Sequence, residues 1–197
     1  MANFTNYHLP YEAAWRHFFF ERAHWDAQRP RTIIEVGSYE GSSAWWIMQN
    51  LLQSPESRLY CIDAWPNADG GDARYELFLK NIDELPSRSQ IEVIRDWSHN
   101  ALRQLSSRGV QADVLYIDGG HDAPTVLRDL VTGFDLVKKS GIVICDDYLW
   151  DDPQWGGNRT LGRPKIALDA FTTIYADKLK IVRGMPNTQV FFQKIAD

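Results

Sequence analysis

Two apolar runs in this chain end in acids. Val114 to Ile117 leads into Asp118, Ile142 to Cys145 leads into Asp146 and Asp147, and His121 stands three residues past the first acid. Carboxylate oxygens are the ligands that hard divalent cations such as Mg²⁺ select, leaving the rest of an octahedron to water or substrate oxygens. A cation that holds a hydroxyl lowers its pKa and fixes the oxygen in place. Histidine is the side chain best suited to take that proton near neutrality. Both residue types also have plainer uses, because Asp caps helices and accepts from loop amides. His8, His17, His24 and His99 lack such an acidic setting.

A second stretch suggests a nucleoside pocket. IIEVGSYEGSS, residues 33 to 43, runs from a buried-strand pattern into a bend with Gly37 and Gly41, then into a helical pattern. A strand, a glycine turn and a helix start together offer backbone N–H groups and a positive helix end to an anionic group. Asp63 closes the next strand-like run, 22 residues after Gly41, where it can accept from a ribose diol. A dinucleotide fingerprint would read G-x-G-x-x-G, its middle glycine admitting a pyrophosphate. Here Tyr39 takes the middle-glycine place, and Glu40 would set a carboxylate near two phosphates. A phosphate-free cofactor bearing an ammonium tolerates these acids better. S-adenosylmethionine is one, and Glu35 would answer its amino end. A nicotinamide-dependent dehydrogenase is the competing reading, and a noncatalytic module that keeps the pocket is a third.

Positioning these residues takes alternating strands and helices. An aromatic pattern over 11–28 suits one amphipathic helix, with Pro30 past its end. Strands are expected at 33–36, 59–62, 91–94, 114–117 and 142–145, with helices after each, and Ser42 or Ser43 suits the cap of the first. Asp122 is the expected cap of the helix after the fourth strand, with Pro124 in its first turn. Such alternation predicts an α/β fold with a doubly wound parallel sheet covered by helices on both faces. Only GMPNT separates the last two strand patterns, 180–183 and 189–193, which is too short for a parallel crossover. The last strand is therefore expected to run antiparallel. The loop 149–163 carries Trp150 and Trp155 as stacking faces, with Arg159 or Arg163 to meet an acidic group.

The chain's 197 residues suit one domain, read as a helical extension over 1–30 and a catalytic domain over 31–197. A net charge of -5 gives no overall footprint for nucleic acid. Cys61 and Cys145 fall inside apolar strands, so no disulfide framework is expected. No signal-like start and no run of 18 apolar residues is present, so a cytoplasmic protein away from membranes is expected.

Four landmarks in order, EVGSYEGSS, Asp63, YIDGGHDAPTVLRDL and GIVICDDY, resemble those of class I S-adenosylmethionine-dependent methyltransferases. The first is similar to the turn of catechol-type O-methyltransferases, the last two to macrocin-type, metal-dependent sugar O-methyltransferases. The likeness spans roughly residues 31–194. It implies a Rossmann-like, seven-stranded sheet, mostly parallel, with an antiparallel last strand. It further implies that Glu35, Gly37, Tyr39 and Gly41 surround the methionine part of S-adenosylmethionine, with Ser38, Ser42 and Ser43 also in the cofactor site. Asp63 would take the ribose hydroxyls and Asp96, Trp97 and Ser98 would flank the adenine, with Ala64, Trp65, Asp118 and Gly119 also in the cofactor site. Asp118, Asp146 and Asp147 would hold Mg²⁺, with Asp118 and His121 catalytic. In the catechol enzymes the triplet is Asp, Asp, Asn and a lysine is the base, so Asp147 and His121 depart from that pattern. The implied acceptor is a small hydroxylated molecule such as a sugar, a natural product or a phenol. IDGGH stands where DNA amino-methylating enzymes carry an Asp-Pro-Pro-Tyr type motif, so nucleic acid is not the expected partner. A homo-oligomer is compatible with all of this.

Overall fold

In the computed structural model, residues 2, 4, 5, 11–66, 71–150 and 160–197 are described. Seven strands form one mixed sheet in the order β3-β2-β1-β4-β5-β7-β6, the expected Rossmann-like arrangement. The chain packs as two compact units, Met1–Trp97 and Ser98–Asp197.

In the first unit, β1 (Thr32–Val36), β2 (Arg58–Asp63) and β3 (Ile91–Arg95) pair in parallel, with Ile33 opposite Leu59 and Leu59 opposite Ile91. Ile33, Ile34, Val36, Leu59, Cys61 and Ile62 are all buried, as near-continuous apolar strands covered on both faces require. α2 (Ser42–Asn50) and α3 (Gly71–Asp83) follow β1 and β2. The N-terminal helix differs from expectation. α1 (Glu12–Arg16) passes into a wider π-helical turn, His17–Arg22, and helical structure ends there rather than at residue 28. The widened turn lets Trp15, Phe18 and Phe19 all reach the core, where Trp15 meets Trp46 edge-on at 5.3 Å. His24 then takes a positive φ of 48°, which no helix can continue through.

In the second unit, β4 (Ala112–Ile117) pairs in parallel with β5 (Val137–Cys145). β7 (Val190–Lys194) lies antiparallel to both β5 and β6 (Leu179–Ile181), so the short GMPNT connection gives the antiparallel strand expected of it. α4 (Ser98–Ser107), α5 (Ala123–Phe134) and α6 (Pro164–Ile174) supply the helices. Asp122 caps α5 as expected, accepting from Thr125 N at 3.0 Å. Phe134, Phe171, Tyr175 and Phe192 form an aromatic cluster beneath β7, with Phe171 stacked on Tyr175 at 4.3 Å. Among the described residues no helix is long and apolar enough to cross a membrane. Cys61 and Cys145 are both buried and unbridged, and burial pushes both thiols well above their ordinary range.

Candidate functional site

The glycine bend of the first unit is built from its backbone outward. β1 delivers Glu35 to a fully buried position, where Ser38 Oγ donates to its Oε2 at 2.6 Å. Its other oxygen, Oε1, is buried with no hydrogen-bond partner among the described residues. Burial raises the Glu35 carboxyl above its usual range. An orphaned acceptor of this kind is costly unless a donor arrives, and an ammonium is a donor of the right charge. Tyr39 sits at φ 45° and Gly41 at φ 87°, the left-handed conformations that turn the chain into α2. Gly41 is the N-cap, and no side chain caps this helix, so the expected serine cap does not form. Ser42 opens the helix, and Ser43 lies buried in its first turn.

Asp63, ending β2, holds two loops at once. Its Oδ2 accepts from Tyr39 N at 2.9 Å and its Oδ1 from Trp65 N at 2.8 Å. Trp65 completes the brace, its indole Nε1 donating to Tyr39 O at 2.8 Å while its ring packs against Tyr75 and Phe78. Trp65 is thus mostly buried, whereas Tyr39 is exposed and carries the Arg74 guanidinium 4.6 Å from its ring centre. Glu40 faces away from any ligand role. It is buried, and its two oxygens accept from Thr5 N at 2.7 Å and Thr5 Oγ1 at 2.8 Å. Beyond β3, Asp96 Oδ1 accepts from Trp97 N at 2.7 Å, and the Trp97 ring is 58% exposed, so packing does not explain that tryptophan.

The second unit carries the acids. Asp118, His121 and Asp147 each present a ligand atom, and the three atoms lie within 4.8 Å of one another. His121 Nε2 is 3.0 Å from Asp147 Oδ2, and the His121 ring leans on Trp150 with centres 5.2 Å apart. Asp147 reaches this place through a positive φ of 60°. Gly120 lets the GGH turn lie close to α5, since a Cβ there would meet Thr125 Cγ2 at 2.5 Å. A small cleft lies here, lined by Asp118, Gly119, His121, Asp146 and Asp147 among others.

Asp146 is set differently from the other two acids. It is buried, its Oδ1 accepts from Asp147 N at 2.8 Å, and its Oδ2 accepts from Gln189 Nε2 at 2.9 Å. The Tyr116 hydroxyl lies 2.8 Å from Asp146 Oδ2 and 2.8 Å from Asp118 Oδ2. Burial raises the Asp146 carboxyl, and burial together with the two acids pushes the Tyr116 phenol well up, so it stays a neutral donor. Asp118 and Asp147 offer the oxygen ligands that a hard divalent cation selects, with the His121 imidazole beside them.

The methyltransferase domain family matches residues 34–148, more than half of the chain. The chain belongs to that family. A relative from Acanthamoeba polyphaga mimivirus, Uncharacterized protein R132, is 25% identical over 79% of this methyltransferase and 68% of its own length. Among solved structures, a protein assigned as an rRNA-methylase from Clostridium thermocellum superposes with a TM-score of 0.69 at 14% identity, covering 98% of this chain and 99% of that one. The O-methyltransferase TomG from Streptomyces achromogenes, in complex with SAM, gives 0.69 at 14% identity over 98% and 82%. MycE of the mycinamycin pathway, in complex with Mg and SAH, gives 0.63 at 18% identity over 98% of this chain and 51% of that one. These likenesses show a shared fold.

Sequence reading did not mark Tyr116 or Gln189 as site residues, because a Tyr inside an apolar run and a Gln opening a strand read as packing. The signal was present in Y-I-D, where residues two apart on a strand share a face. Of the 149–163 loop, residues 151–159, with Trp155 and Arg159, lie outside the described residues.

Proposed function

We propose that this methyltransferase transfers the methyl group of S-adenosylmethionine to the hydroxyl of a small acceptor, with a divalent cation beside the reacting oxygen. The observation that carries this reading is the gathering of His121, Asp118 and Asp147 at the ends of β4 and β5. The orphaned Glu35 Oε1 supports the amino-acid end of the donor, and relatives of this fold that hold SAM, or Mg with SAH, support the pairing.

S-adenosylmethionine supplies a methyl activated by a sulfonium, and a cation supplies charge to steady a developing alkoxide. Glu35, Ser38 and the Tyr39 bend are assigned to the methionine part. Asp63 is assigned to the ribose, Asp96 and Trp97 to the adenine edge, and Asp118 and Asp147 to the cation. His121, whose Nε2 lies 3.0 Å from Asp147 Oδ2, is assigned as the base that takes the hydroxyl proton and passes it to solvent. As that proton leaves, the acceptor oxygen forms its bond to the methyl carbon and the carbon–sulfur pair returns to sulfur. No covalent enzyme intermediate is needed, so the protein's share is alignment and charge.

Methyl transfer to a panel of sugar and phenolic hydroxyls, with and without Mg²⁺, tests the reading on wild type and His121→Asn. The expected outcome is a loss of about 10²- to 10⁴-fold in kcat for the variant, with S-adenosylmethionine affinity unchanged. Undiminished turnover would remove His121 as base, and a wild type that does not bind the donor would end the whole assignment.

A further inference from the structure

Tyr116 lies on β4, two residues before Asp118, and is paired in register with Ile144, two residues before Asp146. Side chains two apart on a strand share a face, so Tyr116, Asp118 and Asp146 converge on one side of the β4–β5 ladder. The hydroxyl is buried and meets Oδ2 of both acids at 2.8 Å. Asp146 is held further by Gln189 Nε2 and by Asp147 N, three neighbours on its two oxygens in all. That spends Asp146 on the scaffold. Asp118 is a member of the 4.8 Å group and Asp146 is not.

We infer that Tyr116 is the positioning residue of this cluster. Its hydroxyl ties Asp118 to an anchored Asp146 and thereby sets the direction from which Asp118 meets a cation. The phenol carries one proton, and sharing it between the two carboxylates offsets part of their mutual repulsion in a poorly solvated pocket. Without it, Asp118 rotates away from Asp146 and leaves the group it forms with His121 and Asp147. Groups that orient metal ligands from behind are worth about 10- to 100-fold in metal affinity.

This inference rests on the cation reading above, and the experiment separates the two. Mn²⁺ binding is followed by electron paramagnetic resonance on wild type, Tyr116→Phe, Asp146→Asn and the double variant, with S-adenosylmethionine affinity measured calorimetrically on the same samples. The expected result is Mn²⁺ affinity about 10- to 100-fold weaker in Tyr116→Phe with donor affinity within twofold of wild type. In the Asp146→Asn background the same change should cost less than twofold, because the anchor it links to has changed. Wild-type-like Mn²⁺ binding by Tyr116→Phe, or an equal loss in both backgrounds, overturns the inference while leaving the cation reading in place. Loss of donor and Mn²⁺ affinity together marks a merely structural role and also overturns it. A wild type that takes up no Mn²⁺ removes the cation reading and the inference with it.

Discussion

Ser38 Oγ donates to Glu35 Oε2 at 2.6 Å and so fixes the carboxylate with its second oxygen turned into a buried, unpartnered position. Glu35 lies on β1 and Ser38 stands three residues on in the bend, where the hydroxyl acts on the acid while the left-handed Tyr39 and Gly41 carry the chain away. The arrangement keeps a buried carboxyl, raised above its usual range by desolvation, at a cost in stability.

Replacing Glu35 by Gln tests that carboxyl. The amide keeps the shape and removes the charge, so a charge-assisted hydrogen bond of about 1.5–3 kcal/mol to an ammonium is lost. S-adenosylmethionine affinity is expected to fall about 10- to 100-fold by calorimetry, while thermal stability holds or rises because a buried charge is gone. Donor affinity equal to wild type would show that Glu35 does not meet the amino group.

Gly41→Ala tests the bend itself. A Cβ at φ 87° is strained, and it would also lie 3.0 Å from Phe78 Cδ2 on α3. The expected cost is about 1–3 kcal/mol, read as a melting temperature lower by several degrees for a chain of this size. Melting unchanged by the alanine would mean that the turn can relax without its glycine.

Asp129 gives a pH dependence whose sign is fixed by burial. Its carboxyl is fully buried on α5 and is pushed from 3.8 up to about 6. The folded chain therefore holds this proton more tightly than the unfolded one. The group's contribution to stability is complete below about pH 4 and is lost as pH rises through about 6. The difference amounts to at most about 3 kcal/mol. Asp129→Asn, which never ionises, should melt above wild type at pH 8 and converge with it only below about pH 4. A melting difference that is the same at every pH would contradict this account.

The strands and the α5 cap could be read directly from residue pattern. Apolar runs such as Ile33–Val36 and Val114–Ile117 leave few alternatives, and Asp122 followed by Pro124 states a helix start in local chemistry. The N-terminal helix departs from its apolar pattern because periodicity does not see the π turn through which Phe18 and Phe19 are both buried. The serine cap failed for a related reason. Gly41, in a left-handed conformation, occupies the cap position and leaves Ser42 inside the helix. In the candidate site, acids at strand ends were visible as a pattern. What each acid faces depended on residues far off in sequence, such as Gln189 for Asp146 and Thr5 for Glu40.

The brace around Tyr39 has a consequence for binding. Its N–H is tied to Asp63 and its carbonyl to the Trp65 indole, so this peptide segment is already rigid before any guest enters. A rigid cradle cannot tell a charged sulfur from a neutral one by changing shape. If the donor lies against this segment as proposed, spent and fresh donor should bind with similar affinity, which competition calorimetry with the two compounds checks.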